Sequence, residues 1–402
     1  MANLPEEFVR ETRQLMGEER FGCYLQAFEE EPPVSIRLNP RKTEGLTVGK
    51  GERVPWCEQG YYLPHRPNFT MDPLLHAGCY YVQEAASMFL AHVLTSHLSP
   101  LTSKLSSALD LCAAPGGKST LLRSLLPEDC MLISNEPMRN RYQVLAENVQ
   151  KWGYPNHSVT NLYPRDFVKS KLRFDLILCD VPCSGEGMFR KDSATINEWS
   201  PQNVERCWQL QREIVCDAWK CLNDGGLLVY STCTFNTKEN EENVRWIMEE
   251  LGAEVLPVPI KAEWNIMGSL LEGFTEPVYR FIPGITRGEG LFMAIMQKGP
   301  TLGPERFHGG TKTVLRRKQN GPTEGPNSHV ELPYSQAISY LRGEALVLPE
   351  DTPRGIVEVM FMGHPLGQMK NIGSRANNLY PKAWRIKTTH IPNEYEAILR
   401  HS

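Results

Sequence analysis

The sequence predicts an α/β fold centred on a parallel sheet with helices on both faces, and three observations carry that expectation. Between about residues 106 and 297, short apolar runs alternate with amphipathic stretches, the pattern of strands joined by crossover helices. The first run ends in a glycine-rich turn, Cys112-Ala113-Ala114-Pro115-Gly116-Gly117-Lys118, where a sheet of this kind holds a nucleotide-like ligand. Two later runs end near cysteines, Cys183 and Cys233, at the strand edge where sites on such sheets are built.

Along the chain, residues 1–104 come first. There Pro32, Pro33, Pro40, Pro55, Pro64, Pro67 and Pro73 break up regular structure, which suits a mixed accessory region or lid. In the core, strands are expected at 107–111, 131–135, 158–162, 174–180, 227–231 and 291–297. Residues 138–152 place Tyr142, Leu145 and Val149 at helical spacing with charges between them, and Gly153 follows as a C-cap. Residues 204–222 read as a second helix, with Asp224-Gly225-Gly226 turning into the next strand. Beyond the core, 299–330 is rich in Gly and Pro around a basic run at 312–318 and suits an exposed linker. The alternation in Ile356-Val357-Glu358-Val359-Met360-Phe361-Met362 then predicts a small β-rich module over 331–402. The expected domains are therefore 1–104, 105–298 and 331–402, with 299–330 as linker.

Bulk properties narrow the function classes. A chain of 402 residues is too long for one ordinary core and long enough for two or three. With a formal net charge of -4, binding to nucleic acid has to come from local basic patches. The acidic start Met1-Ala2-Asn3-Leu4-Pro5-Glu6-Glu7 lacks the features of a secretory signal, and no apolar run approaches the roughly 18 residues that cross a bilayer. Eleven cysteines without a C-x-x-C pair argue for reduced thiols in a cytosol and against a zinc site. A soluble, cytoplasmic, monomeric protein with no bound metal is expected.

The glycine turn admits two nucleotide readings. Gly117-Lys118-Ser119 looks like the end of a phosphate-binding P-loop, but that motif needs a glycine five positions before Gly117, where Cys112 stands. A G-x-G-x-x-G pattern is absent as well. Glu136 follows the second strand, twenty positions after Gly116, the offset at which a carboxylate accepts hydrogen bonds from ribose hydroxyls. An adenosine ligand without a pyrophosphate cradle is expected, which favours S-adenosylmethionine over NAD. Cys183 and Cys233, taken singly, would pass for inert buried thiols; their positions at the strand ends make them candidate nucleophiles. Lys118 could supply the cation that ionises a thiol, and Asp180 shares the same edge.

Three segments carry a resemblance: Asp110 to Lys118; Asp180-Val181-Pro182-Cys183-Ser184-Gly185-Glu186-Gly187-Met188-Phe189-Arg190-Lys191; and Tyr230-Ser231-Thr232-Cys233-Thr234-Phe235. They resemble the motifs of the Nop/Sun family of RNA cytosine-carbon-5 methyltransferases, nearest to its bacterial RsmF type. Ser35-Ile36-Arg37-Leu38-Asn39-Pro40 and Gly78-Cys79-Tyr80-Tyr81-Val82-Gln83-Glu84 are similar to its amino-terminal region, and the tail to its PUA-like RNA-binding domain. The resemblance implies a Rossmann-like class I methyltransferase core. It also implies methylation of cytosine carbon 5 in RNA, most of all 16S ribosomal RNA, free or in the assembled subunit.

Carbon 5 is a poor nucleophile until a thiolate adds at carbon 6, so the chemistry needs covalent catalysis. By the resemblance, Cys233 attacks carbon 6 and Cys183 assists proton removal or enzyme release, with Asp180 and Lys118 beside them. Cofactor contacts are implied at Cys112, Ala113, Ala114, Pro115, Gly116, Gly117, Lys118, Glu136 and Asp180. A further acidic ligand is expected near Tyr163, where the nearest carboxylate is Asp166. Pro283-Gly284 departs from the family's Pro-His. RNA contacts are expected from Arg37, Arg41, Lys42, Arg316, Arg317, Lys318, Lys370, Arg375, Tyr380 and Lys382, and the target base from an unpaired or flipped-out position. The competing functions are a tRNA cytosine-C5 methyltransferase, a non-catalytic ribosome-assembly factor that binds RNA but no cofactor, and a DNA methyltransferase using the Pro-Cys thiol.

Overall fold

The computed structural model describes residues 4–98, 105–300, 328–388, 391–392 and 394–401. Nearly all of the expected linker, with its basic run, lies outside these residues. The chain opens with α1 (Glu6–Met16) and α2 (Glu18–Gln26), joined at Gly17, and buries Phe8, Met16, Phe21 and Tyr24 from them. Next come β1 (Val34–Leu38), β2 (Leu46–Val48), β3 (Glu52–Arg53), β4 (Gly60–Leu63), α3 (Pro73–His76), β5 (Tyr80–Val82) and α4 (Phe89–Leu98). Strands β3, β4, β1 and β5 form an antiparallel sheet in that order. The prolines border this region's short elements and so interrupt regular structure. Pro73 occupies the first turn of α3, where its missing N–H costs nothing, and Asp72 caps that helix through the Leu74 N–H at 2.9 Å.

The central sheet contains β6 (Ser107–Asp110), β7 (Met131–Asn135), β8 (His157–Thr160), β9 (Phe174–Asp180), β10 (Leu222–Thr232), β11 (Ala253–Val255), β12 (Tyr279–Phe281) and β13 (Leu291–Lys298). Its helices are α5 (Gly117–Leu125), α6 (Arg139–Trp152), α7 (Pro164–Ser170), α8 (Ser193–Glu198), α9 (Pro201–Cys221) and α10 (Glu241–Leu251). The strand order is β11-β13-β10-β9-β6-β7-β8, with β12 also on β13. Strands β8, β7, β6, β9 and β10 are parallel, whereas β11, β12 and β13 pair antiparallel. The all-parallel expectation therefore fails at the last strand. The expected turn at 224–226 is a bulge inside β10, whose register against β9 shifts between Leu222 and Leu227.

Burial on both sheet faces explains the apolar runs. Ala108, Leu176, Leu178, Val229 and Ile295 face one core with α4 and α5, while Leu109, Ile177, Cys179, Leu228 and Met296 face the other with α9 and α10. The chain runs outward from β6 to β8, then returns to build β9 and β10 on the other side. That reversal puts a crevice at the carboxyl ends of β6 and β9, the place where ligands bind on open α/β sheets.

The last segment forms β14 (His329–Glu331), α11 (Tyr334–Leu341), β15 (Gly355–Phe361), β16 (His364–Asn371), β17 (Ala376–Asn378) and β18 (Leu399–His401). Strands β14 to β17 make one sheet, and β18 pairs antiparallel with β2. Ile36, Leu38, Leu74 and Tyr80 share a core with Ile338, Val359, Phe361 and Leu399, so the two ends of the chain pack as one body. Buried Asp72 reinforces this contact by accepting hydrogen bonds from Tyr80 at 2.8 Å and Tyr395 at 3.0 Å. Among the described residues no helix is long and apolar enough to cross a membrane.

Arg280 of β12 and Glu241 at the start of α10 form an ion pair at 2.5 Å with both side chains fully buried. Breaking such a pair leaves an uncompensated charge, so Arg280→Met is expected to cost about 3–5 kcal/mol. Calorimetric melting should show the loss, and adding Glu241→Gln should return much of it.

Candidate active site

The cofactor turn is built from the end of β6 outward. Gly116 adopts φ +113, in the region that favours glycine, and a Cβ there would approach Leu145 at 3.3 Å. Gly117 starts α5 against Tyr81 and Gln83, at the end of a helix whose first backbone N–H groups have no partner within it. Arg37 of β1 fixes this start. Its guanidinium donates to Gln83 Oε1 and Thr120 Oγ1, each at 2.6 Å, and to the Gly117 carbonyl at 3.2 Å, while lying 4.5 Å from the Trp152 ring. At the end of β7, buried Glu136 accepts the Met138 N–H on Oε1 at 2.9 Å. Its Oε2 is buried without a hydrogen bond, although Arg141 stands 3.4 Å away.

The thiols come from adjacent strands. Cys183 follows β9 and Cys233 follows β10, and their Sγ atoms are 3.2 Å apart. The Cys233 N–H also points at Cys183 Sγ, at 3.3 Å. Beside them Lys118 Nζ donates to Asp180 Oδ2 at 2.8 Å, and Ser231 Oγ donates to Asp180 Oδ1 at 2.5 Å. Burial opposes the Lys118 charge, but Asp180 outweighs it, so the ammonium is held above its ordinary range and stays protonated. The hydrogen bond to Cys233, with burial next, pushes the Cys183 thiol well up.

A buried polar clamp joins the two cysteine loops. Gly187 N–H donates to the Cys233 carbonyl at 2.9 Å, and Ser184 and Thr234 hydroxyls meet at 2.8 Å. Glu186 accepts the N–H groups of Phe235 at 2.7 Å and Asn236 at 2.9 Å. Glu239 accepts the Ser184 N–H at 3.0 Å and the side chains of Gln211 at 2.7 Å and Asn236 at 2.8 Å. Chemically, the site presents two sulfurs in contact and a fixed Lys–Asp pair to a planar base.

The structure thus brings Cys183, Cys233, Asp180 and Lys118 together, with the turn from Cys112 through Ala113, Ala114, Pro115, Gly116 and Gly117 alongside. Asp166 does not join them. Its carboxylate caps α7 through the Tyr163 N–H at 3.1 Å and pairs with Lys169 at 3.3 Å, so its bonds are local. Arg37 is a buried strut and not an RNA contact. Lys42 is tied to the Ala77 and Lys151 carbonyls at 2.7 and 2.6 Å, and Tyr380 is buried. Arg41, Lys370, Arg375 and Lys382 remain exposed, whereas Arg316, Arg317 and Lys318 lie outside the described residues. At Gly284, φ is +82 and a Cβ would sit 2.2 Å from the Cys23 carbonyl, which accounts for the missing histidine.

Sequence reasoning missed Asp110, Glu186 and Glu239. Asp110 is fully buried, accepts from Ser119 at 2.5 Å, and is pushed up to about 7 chiefly by burial. Glu186 and Asp110 stood inside quoted motifs and passed as spacers. Glu239 sits in Lys238-Glu239-Asn240-Glu241-Glu242, which reads as a solvated charge run.

Comparison with known proteins follows this geometry. Residues 97–297 match the family model described as 16S rRNA methyltransferase RsmB/F. Residues 4–85 match the N-terminal domain of 16S rRNA methyltransferase RsmF, and 327–386 its PUA domain. Ribosomal RNA small subunit methyltransferase F of Pectobacterium atrosepticum is 31% identical over 324 residues, covering 75% of this chain and 64% of that protein. The protein of the same name from Escherichia coli O81 is 33% identical over 315 residues, covering 73% and 63%. The chain therefore spans a little under two thirds of the length of these relatives. A methyltransferase homologue from Pyrococcus horikoshii has a TM-score of 0.61 at 26% identity, covering 74% of this chain and 96% of that one. NSun6 from the same organism, solved with SFG, shares the fold with a TM-score of 0.61 at 22% identity, covering 75% and 100%. With one model spanning half of its length and the flanking regions matched by models of the same enzyme group, the chain belongs to the 16S rRNA methyltransferase RsmB/F family.

Proposed function

We propose that this protein methylates carbon 5 of a cytosine in small-subunit ribosomal RNA, using S-adenosylmethionine. The observation that carries the reading is the pair of thiols 3.2 Å apart at the ends of adjacent strands, beside a Lys–Asp pair and a glycine turn. The cofactor assignment is supported by the buried Oε2 of Glu136, which accepts no hydrogen bond within the protein, pairs with Arg141 only at 3.4 Å and suits a ribose hydroxyl, and by the glycines and helix start that admit close approach. S-Adenosylmethionine, when bound, supplies the electrophilic methyl group that carbon 5 takes up.

The chain's own residues do the rest. Cys233 Sγ adds to carbon 6 of the cytosine, which moves electron density onto carbon 5. Lys118, kept cationic by Asp180, favours the Cys233 thiolate and helps hold the ring. After transfer, Cys183 passes its own proton to solvent and, as the thiolate, takes the proton from carbon 5; the electrons of that carbon–hydrogen bond restore the 5,6 double bond, the carbon 6–sulfur bond breaks, and Cys233 leaves as thiolate. The clamp of Glu186 and Glu239 keeps both sulfurs at the one edge through these steps. Residues 1–104 and 331–402, packed together and carrying exposed Arg41, Lys370, Arg375 and Lys382, are assigned to RNA binding. We place it in the cytoplasm, with its ribosomal substrate.

Cys233→Ala should abolish methyl transfer to small-subunit RNA in a tritiated-methyl assay; retained turnover would contradict the nucleophile. Cys183→Ala should instead leave enzyme attached to RNA, visible as a shifted band on a denaturing gel, and free methylated RNA would contradict its release role. Glu136→Ala should weaken S-adenosylmethionine binding by about tenfold or more in titration calorimetry, the loss of one charge-assisted hydrogen bond.

A further inference from the structure

The two cysteine loops close over a carboxylate whose charge the packing alone does not need. Glu239 is fully buried and held by Ser184 N–H, Gln211 and Asn236. Among the described residues no Lys or Arg hydrogen-bonds to it, so amide dipoles alone compensate its charge. Ser184 is the neighbour of Cys183 in the chain, which places this negative group on the Cys183 side of the sulfur pair. Lys118, paired with Asp180 at 2.8 Å, interacts electrostatically with Cys233.

We propose that Glu239 is a positioning residue that allots the proton of the thiol pair, holding it on Cys183 so that Cys233 is the member that ionises. A negative charge beside a thiol disfavours its thiolate, while a cation favours it. With one proton between two sulfurs in contact, a small difference of this kind decides its location. The proposal rests on the reading above only for which sulfur attacks the base.

The groups that face the pair come from four elements. β9 and the segment after it give Asp180, Cys183 and Glu186, β10 and the segment after it give Tyr230, Cys233 and Glu239, α9 gives Cys207, and α5 gives Lys118, which Asp180 pairs. Burial raises Tyr230 and Cys207 beyond the neutral range. Burial, and then Glu186, push Glu239 up to about 7. Its charge is therefore present above neutrality and lost as the pH falls, and the bias on Cys183 follows it.

The test uses a Cys233→Ser chain, in which Cys183 alone reports, and follows its alkylation by iodoacetamide against pH by mass spectrometry. Adding Glu239→Gln should lower the midpoint by about one pH unit, so that alkylation becomes about tenfold faster at pH 9, where Glu239 is fully charged, and only about twofold faster at pH 7. An unchanged midpoint in a chain that melts at the same temperature overturns the proposal. Should Glu239→Gln fail to fold, the Cys233→Ser chain by itself decides. An isolated thiol gains about tenfold in rate per pH unit below its midpoint, whereas coupling to Glu239 flattens that rise around neutrality. A uniform rise overturns the proposal equally. Neither readout involves RNA or cofactor, so a failure to methylate leaves the proposal intact, and an absent coupling leaves the methyltransferase reading intact.

Discussion

The contact between two strand ends organises this protein. Strands β9 and β10 are parallel neighbours in register, Tyr230 opposite Cys179 and Ser231 opposite Asp180, so the residues that follow them emerge side by side. That register alone would bring two loops near each other without fixing their side chains. The polar clamp completes the arrangement: Glu186 on one loop takes backbone N–H groups of the other, Ser184 meets Thr234, and Glu239 reaches back to Ser184. Glycine is required where these backbones touch, since a Cβ on Gly187 would lie 2.6 Å from Gly290 Cα and 2.9 Å from the Cys233 carbonyl.

Burying carboxylates without cationic partners is expensive, and such groups persist where their hydrogen bonds are complete. Glu186 meets this condition through two backbone amides, the Trp199 indole at 3.0 Å and the Asn236 amide at 3.0 Å. The cost is offset by geometry that mobile loops could not keep. The Lys118–Asp180 pair works differently. It lies at the crevice edge, partly exposed, so both groups can meet a polar ligand while each holds the other in place.

The amino-terminal region serves the same site from behind. Arg37 spans from β1 to the first turn of α5 and stacks on Trp152, so the small antiparallel sheet sets the orientation of the cofactor turn. Burial lowers its guanidinium to about 10, still far above neutrality, so the strut remains charged. The same sheet shares its other face with the carboxyl-terminal module, and β18 closes onto β2. A rigid connection thus runs from the module through the sheet to the glycine turn.

The sequence by itself determined six of the eight strands of the central sheet, the glycine turn and the place of two thiols just beyond strand ends. Apolar runs with fixed spacing and short motifs are local signals, and each follows from a few neighbouring residues. Which cations face solvent was decided only by tertiary structure: Arg37 and Lys42 read as RNA contacts, yet both are spent on carbonyls and side chains from distant segments. Asp166 went the same way, since only the fold shows a helix start that takes up its carboxylate. Glu239 is the converse case, a member of an acidic run that the packing of α9 and α10 carries into the interior. Burial and partnership arise between segments far apart in the chain, and no local pattern encodes them.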